Sequence, residues 1–414
     1  MRSHLRARPL RVPTNPYAPS FGNRPPLLAG RDDVVERFIR GLTSGPGAQE
    51  RVMLIRGPRA IGKTSVLNEL EDRARAAGWL VVQETATDNF VERLRDVHFA
   101  RVLLDTTAPR GPEALKSITI ERAPGFGWEY PYQLPPPRIT LRWQLETLTQ
   151  DPRIAQHGLM ISLDEIQGGS IEELREFGNT LQLLRRATAP IAVAMAGIET
   201  GVQTLIDDKA SSFLRRAYPV TLHPIDDDAA VRALATPAKD AGRPMTPEAA
   251  QLAAARSAGW PFLIQLIGAS VWEVDPSMPA ITIDHVQAAL PDALSRFAEV
   301  VYQPQLKTLS PRARAYLVAM STDQGQPSKL ATLKIRLGWT KTVLYQHTKR
   351  LRDAGIIRTS SWGAVETTMP GLAQFAALAD ARPRSPEPDL ADFFGPGELF
   401  FPAPDREPSA GPDL

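Results

Sequence analysis

Apolar residues in this chain alternate between short unbroken runs and stretches of helical spacing. Val52-Met-Leu-Ile55, Trp79-Leu-Val-Val82, Gly158-Leu-Met-Ile-Ser-Leu163 and Ile191-Ala-Val-Ala-Met-Ala196 are runs of the kind that strands buried on both faces require. Between them the apolar positions recur three and four apart. Val34, Val35, Phe38 and Ile39 follow an acidic turn at Asp32-Asp33, and Val66, Leu67 and Leu70 lie within 63–76. Phe90, Val91, Leu94 and Val97 predict a helix over 88–104, and another is expected from Leu141 to Leu148, with a loop at 41–50. Strands alternating with helices predict an α/β unit with a parallel sheet.

Past residue 225 the pattern becomes helical. Pro224-Ile-Asp-Asp-Asp228 suits a helix start, and helices are expected at 229–241, at 247–258 and from Pro261 onward. Helices at 312–320, 328–336 and 341–353, strands at 356–359 and 364–367, and a return at 369–378 read as a compact winged helix. Residues 1–27, 106–138 and 382–414 are rich in proline. The expected division is an N-terminal Pro/Arg-rich segment 1–27, a sheet-containing core 28–225, a helical lid 226–305, a winged helix 306–380 and a disordered acidic tail 381–414. The aromatics of 106–138 are expected to pack on the core rather than to bind a partner.

Composition narrows this only at the margins. A chain of 414 residues with 43% hydrophobic and 23% charged residues is that of a soluble protein of two or three domains. Cysteine is absent, which excludes disulfides and thiolate metal sites and fits a reducing compartment. The basic stretch 1–11 precedes no apolar signal core, and no uncharged run is long enough for a bilayer, so a cytoplasmic protein without a membrane partner is expected. Net charge of +2 implies no nucleic acid by itself. Six scattered histidines suggest no metal site.

Chemistry concentrates after the first strand. Gly57-Pro58-Arg59-Ala60-Ile61-Gly62-Lys63-Thr64 fits the phosphate-loop pattern at every fixed position, between a strand and a helix as the mechanism requires. Gly57 and Gly62 let successive N–H groups, through Ser65, face phosphates at a helix N-terminus. Lys63 is expected on the β- and γ-phosphates of ATP, and the Thr64 hydroxyl on Mg²⁺. The strand ending at Asp164-Glu165 delivers two carboxylates. Asp164 is expected to hold Mg²⁺ in its inner or outer shell, and Glu165 to orient and deprotonate the attacking water.

These motifs, with the box Leu28-Ala-Gly30-Arg31-Asp32 and the opening Asn15-Pro16-Tyr17, resemble AAA+ ATPases of the origin-recognition or archaeal-ATPase type, close to the STAND signalling ATPases. The resemblance covers roughly residues 15–380. It implies a P-loop NTPase sheet of AAA+ type with lid and winged helix, and places Tyr17 and Arg31 against the adenine. It matches Arg215, in Ser211-Ser-Phe-Leu-Arg215-Arg216, to an arginine acting near the γ-phosphate, here or in a neighbouring copy. An acidic residue usual before it is Leu214 here. Gly259-Trp260-Pro261 resembles the STAND lid motif, in which the proline approaches the nucleotide and the usual lid arginine is missing. That absence implies slow turnover and a switch driven by ATP and ADP.

The helix 341–353 carries the remaining candidate site. Leu344, His347 or Thr348, and Leu351 are expected to pack inward, leaving Lys341, Thr342, Tyr345, Gln346 and Lys349, with Arg350 and Arg352 at the edges, to contact double-stranded DNA, and Arg358 to add to them from the wing. Two readings remain open: an ATPase switch with DNA, itself or another protein as partner, and a DNA-binding regulator or docking scaffold in which ATP is structural.

Overall fold

In the computed structural model, which describes residues 14–20, 22–107, 139–208, 213–361 and 363–381, the four expected runs become strands of one sheet. The N-terminal stretch 1–13, most of the insertion (108–138), Ser211, Ser212, Trp362 and the tail from 382 lie outside the described residues. Strands β1 (Val52–Gly57), β2 (Leu80–Thr85), β3 (Leu159–Asp164), β4 (Ile191–Ile198) and β5 (Tyr218–Thr221) pair in the order β2-β3-β4-β1-β5, all parallel. Alternation sorts their side chains between two cores. Met53, Ile55, Met160, Ala192, Ala194 and Ala196 face one, and Leu54, Ile161, Leu163, Val193 and Met195 face the other.

Helices α1 (Asp32–Thr43) and α2 (Lys63–Ala76) cover the first face, where the small alanines of β4 let α2 lie close to the sheet. The second face is covered by α3 (Phe90–Arg93), α4 (Ala100–Thr107), α5 (Leu141–Gln150), α6 (Pro152–His157), α7 (Ile171–Arg186) and α8 (Glu199–Asp207). Four details differ from the sequence expectation. Helix α1 runs through Gly41, where a loop was expected, and β2 begins after Trp79. The helix over 88–104 is interrupted by a π-helical stretch, Leu94–Phe99, whose wider turn leaves Val97 58% exposed and buries Phe99 instead. Strand β5 was not foreseen: it is four residues long and contains Pro219, which an edge strand tolerates because the missing N–H faces no partner.

Helices α9 (Asp227–Asp240), α10 (Pro247–Ser257), α11 (Pro261–Glu273) and α12 (Ile283–Phe297) follow. Asp226 and Thr246 cap α9 and α10 by accepting from the N–H groups of Ala229 and Ala249. Helix α11 is buried on every side from Leu263 to Trp272, so it shows no amphipathic stripe and forms the centre of the layer. A π-helical turn, Ala298–Tyr302, leads into α13 (Gln303–Thr308) and α14 (Pro311–Ser321).

The chain ends in a small unit. Strand β6 (Ser328–Lys329), helix α15 (Leu330–Leu337), helix α16 (Lys341–Asp353), strands β7 (Ile357–Ser361) and β8 (Ala364–Thr367), and helix α17 (Leu372–Ala381) surround Tyr316, Leu317, Leu333 and Leu351. The strand order is β6-β8-β7, antiparallel; the expected second helix therefore starts at Leu330 rather than Ser328, because Ser328 and Lys329 pair with Val365 and Ala364. Its core is continuous with the helical layer. Tyr302 packs edge-on against Phe297 at 5.2 Å, lies 5.4 Å from Phe375, and donates its hydroxyl to the Pro370 carbonyl at 2.5 Å.

Candidate functional site

The loop between β1 and α2 lies at the carboxyl end of the sheet, where ligands of open α/β sheets bind. Gly62 precedes α2 with φ +91°, a left-handed conformation that suits glycine, and buried Ile61 anchors the loop from below. A Cβ on Gly57 would stand 3.0 Å from the Leu222 carbonyl. Lys63 is buried and folds back, its Nζ donating to the carbonyls of Pro58 at 2.8 Å and Gly57 at 3.2 Å. Burial lowers its pKa, Glu165 and Asp164 oppose that shift, and Arg59 adds to it. The Thr64 hydroxyl donates to Asp164 Oδ2 at 2.6 Å, while Asp164 Oδ1 accepts from the Glu165 N–H at 2.8 Å. Burial raises the Asp164 pKa, and the bond from Thr64 works against it. Glu165 itself has φ +54° and ψ +43°, and its carboxylate accepts a hydrogen bond from Gln167.

Of these residues, Ile61, Gly62, Lys63, Thr64 and Glu165 border a cavity of about 530 Å³, within the usual size of small-molecule sites. Residues Pro58 to Ser65, Arg59 and Ala60 included, and Glu165 form one wall, and the strap from Ala18 to Arg31 contributes to a second. Pro261 opens α11 against the loop, and a Cβ on Gly62 would lie 3.6 Å from its Cγ. The turn before it depends on Gly259, at φ +69°, where a Cβ would fall 2.2 Å from the Ile225 carbonyl. The C-terminal unit closes the cavity with Ala354, Gly355, Ile356, Thr368 and Met369. No local motif marks these last residues, and Gln167 was also missed. Only the short interval Glu165-Ile-Gln167 hinted at it.

Two residues expected near the nucleotide do not line this cavity. Tyr17 is not on the cavity wall: its ring packs on Gly268 of α11, where a Cβ would lie 2.5 Å away, and its hydroxyl donates to the Leu234 carbonyl at 2.5 Å. Burial without a charged partner raises that hydroxyl's pKa, and these contacts anchor the strap to α11. Arg215 donates to the carbonyls of Ile206 at 2.7 Å and Asp208 at 3.4 Å and lies off the wall of this cavity. Arg31 does line the cavity, but its guanidinium is committed to the carbonyls of Ile61 at 3.3 Å and His223 at 2.6 Å, which steadies the loop.

On α16, Leu344, His347, Thr348 and Leu351 are buried, and Lys341, Tyr345, Gln346, Lys349 and Arg350 are exposed. Lys349 pairs with Asp353 at 3.0 Å, and Arg358 on β7 with Glu366 at 2.8 Å. Among the described residues no cluster of three metal-ligating side chains occurs, and no helix is long and apolar enough to cross a membrane.

Comparison with known proteins bears on the sheet unit first. Residues 27–194 match the AAA ATPase domain family, and residues 299–376 match a family described as a domain of unknown function (DUF8462). No protein of curated function matches the sequence. Among solved structures, a Walker-type ATPase of Pyrococcus abyssi is similar with a TM-score of 0.59 and 15% identity over 85% of this chain and 97% of that one. The Aeropyrum pernix ORC2 protein, solved in ADPNP–ADP complexes, gives 0.57 and 15% over 87% and 97%. Identities this low speak for the fold alone. The phosphate-loop unit of this chain has the P-loop AAA+ fold, and its residues 27–194 are similar to the AAA ATPase domain family.

Proposed function

We propose that this protein binds ATP and hydrolyses it slowly, using the nucleotide as a switch between arrangements of its sheet unit, helical lid and C-terminal winged helix. The observation that carries the reading is the convergence of Lys63, Thr64 and Glu165 on one cavity, with Asp164 bonded to Thr64 behind it, whose other walls come from α11 and the C-terminal unit. Lys63 exchanges its two carbonyl partners for phosphate oxygens. The Thr64 hydroxyl and the Asp164 carboxylate form a hard-oxygen pair that suits Mg²⁺, which takes one or two carboxylates besides phosphates and water. An ion held there by Thr64 and Asp164 would neutralise charge on the phosphates. Glu165 accepts a proton from water as the water oxygen attacks the γ-phosphorus, and the bond to the β,γ-bridging oxygen breaks to leave ADP and phosphate.

Slow turnover is supported by the charge on the walls. Among the described residues the cations lining the cavity are Arg31, Arg59 and Lys63, and none comes from α9 to α12. With no lid arginine at the cavity, an arginine supplied by a second copy or a partner would add transition-state stabilisation, and exposed Arg215 is the candidate within this chain for acting in a neighbour. A second reading, DNA binding by α16, is favoured by its exposed Lys341, Tyr345, Gln346, Lys349 and Arg350 over a packed inner face.

The test is single-turnover hydrolysis at equal nucleotide occupancy. Glu165→Gln is expected to slow the wild-type rate about 10²- to 10⁴-fold, the usual worth of a general base. Equal rates would favour the reading in which ATP is structural and the chain is a DNA-binding regulator or scaffold.

A further inference from the structure

Glu165 is held by a side chain that does not line the cavity. Its Oε2 accepts from Nε2 of Gln167, and Oε1 of the same amide accepts from the Ile198 N–H at 3.0 Å. One planar group thus joins the end of β3 to the end of β4. It has one workable orientation, because turning it over would set its oxygen against a carboxylate and its NH₂ against an N–H. The surroundings are built to admit it: a Cβ on Gly197 would fall 2.6 Å from Gln167 Oε1, and one on Gly201 would fall 2.5 Å from Gln167 Cβ. Glu165 also keeps a left-handed backbone, which a residue other than glycine adopts where its neighbours impose it.

The same turn carries the C-terminal unit. Gly355, which follows α16 with φ +70°, lies so close that a Cβ there would stand 3.0 Å from Thr200 Oγ1 and 3.8 Å from Ile198 Cγ2. Ile198 and Thr200 are therefore touched by Gln167 through the Ile198 N–H and by the C-terminal unit at Gly355.

We propose that Gln167 is a positioning residue for hydrolysis, which fixes the Glu165 carboxylate against the end of β4 and ties its orientation to the turn on which Gly355 rests. Gln167 lines no part of the cavity and acts through Glu165. The inference rests on the hydrolytic reading of Glu165 given above. It explains how a displacement of the C-terminal unit is felt at the carboxylate: the shift moves the Ile198 N–H, and the amide bonded to it passes the movement on to Glu165.

The experiment measures kcat, KM and ATP affinity on the full chain for wild type, Gln167→Ala, Gln167→Glu and Gly201→Ala, with Glu165→Gln as reference. Misplacing a catalytic group by about 1 Å lowers kcat on the order of 100-fold, so Gln167→Ala is expected to lose about 10- to 100-fold in kcat with KM and affinity within about twofold. Gln167→Glu keeps the volume and the acceptor for the Ile198 N–H but replaces the donor with a second carboxylate; it is expected to lose at least as much kcat while melting at the wild-type temperature. That separates the hydrogen bond from packing, and it decides the matter should Gln167→Ala fail to fold. Gly201→Ala, whose methyl displaces Gln167, should lower kcat in the same way and add no further loss in combination with Gln167→Ala. Wild-type kcat in folded Gln167→Glu, beside an inactive Glu165→Gln, overturns this inference and leaves the hydrolytic reading standing. Wild-type turnover in Glu165→Gln overturns both.

Discussion

Helices α2 and α16 both open with a lysine, and the two openings are built in opposite ways. At α2 the left-handed turn at Gly62 bends Lys63 back onto the loop carbonyls, and Thr64 meets Asp164, so the polar groups converge on one cavity. At α16, Thr340 caps the helix by accepting from the Val343 N–H, and Lys341, Tyr345 and Lys349 diverge into solvent, with Lys349 already paired to Asp353. Convergence raises the worth of a buried group such as Lys63, because a partner lost there is not replaced by water. Divergence leaves each charge screened, and only a polyanion laid across several of them would gain.

The sharpest break of that contrast comes from Lys63. Replacing it by alanine leaves the phosphates without their buried cation and should weaken ATP binding by about 2–5 kcal/mol, whereas Lys341→Ala should leave ATP binding unchanged. Calorimetric titration of both variants decides it: equal ATP affinity in Lys63→Ala and wild type means that the loop holds no phosphate. Next comes Gly259→Ala, which places a methyl 2.2 Å from the Ile225 carbonyl and imposes a left-handed backbone on alanine. Strain of that kind costs about 1–3 kcal/mol, and it should lower the melting temperature of the full chain and shift Pro261 from Gly62. A variant that melts like wild type would show that the Gly259–Ile225 approach is dispensable.

The same contrast explains what could be read from the sequence. The phosphate loop and Asp164-Glu165 are contiguous, so their spacing encodes their geometry, and α2 spans the expected Lys63–Ala76. The buried inner face of α16 was equally legible, because Leu344 and Leu351 obey a local period. Contacts between distant segments were not. Nothing near Gly355 signals that it meets Thr200, and nothing near Tyr17 signals that its ring lies on Gly268, since each depends on how layers stack rather than on a local period. The π-helical stretch at Leu94–Phe99 defeats periodic reading in another way, by inserting one residue into the count and exchanging Val97 for Phe99 in the core.

On the open side, the comparison is sharpened by duplex DNA. With Lys341, Lys349 and Arg350 all changed to alanine, each phosphate left without its cation should reduce the slope of log affinity against log salt by about 0.9. Lys349 should contribute least of the three, since Asp353 competes for it. Fluorescence anisotropy at several salt concentrations reads both quantities, and an unchanged slope with unchanged affinity would leave the face as a protein-docking surface.

The smallest effect expected lies at the joint beneath that face. Arg336, in the last turn of α15, donates to both carboxylate oxygens of Asp323 at 2.6 and 2.7 Å, and Ser328 donates to the same group at 2.6 Å. The guanidinium, and after it the serine hydroxyl, hold the Asp323 pKa below its ordinary value against a modest opposing effect of burial. A carboxylate whose folded pKa is depressed binds fewer protons folded than unfolded. Its contribution is therefore complete above the unfolded value of about 3.9 and fades as pH falls through the lower folded value. Wild type should melt above Arg336→Ala at neutral pH, and the gap should shrink from about pH 4 downward as Asp323 is protonated. Calorimetric melting of the full chain across that range measures the gap directly, since every other titrating group is common to both proteins. A gap that stays constant down to the lowest pH at which both remain folded would mean that Arg336 contributes through its Ala319 carbonyl contact and its packing instead of through the Asp323 carboxylate.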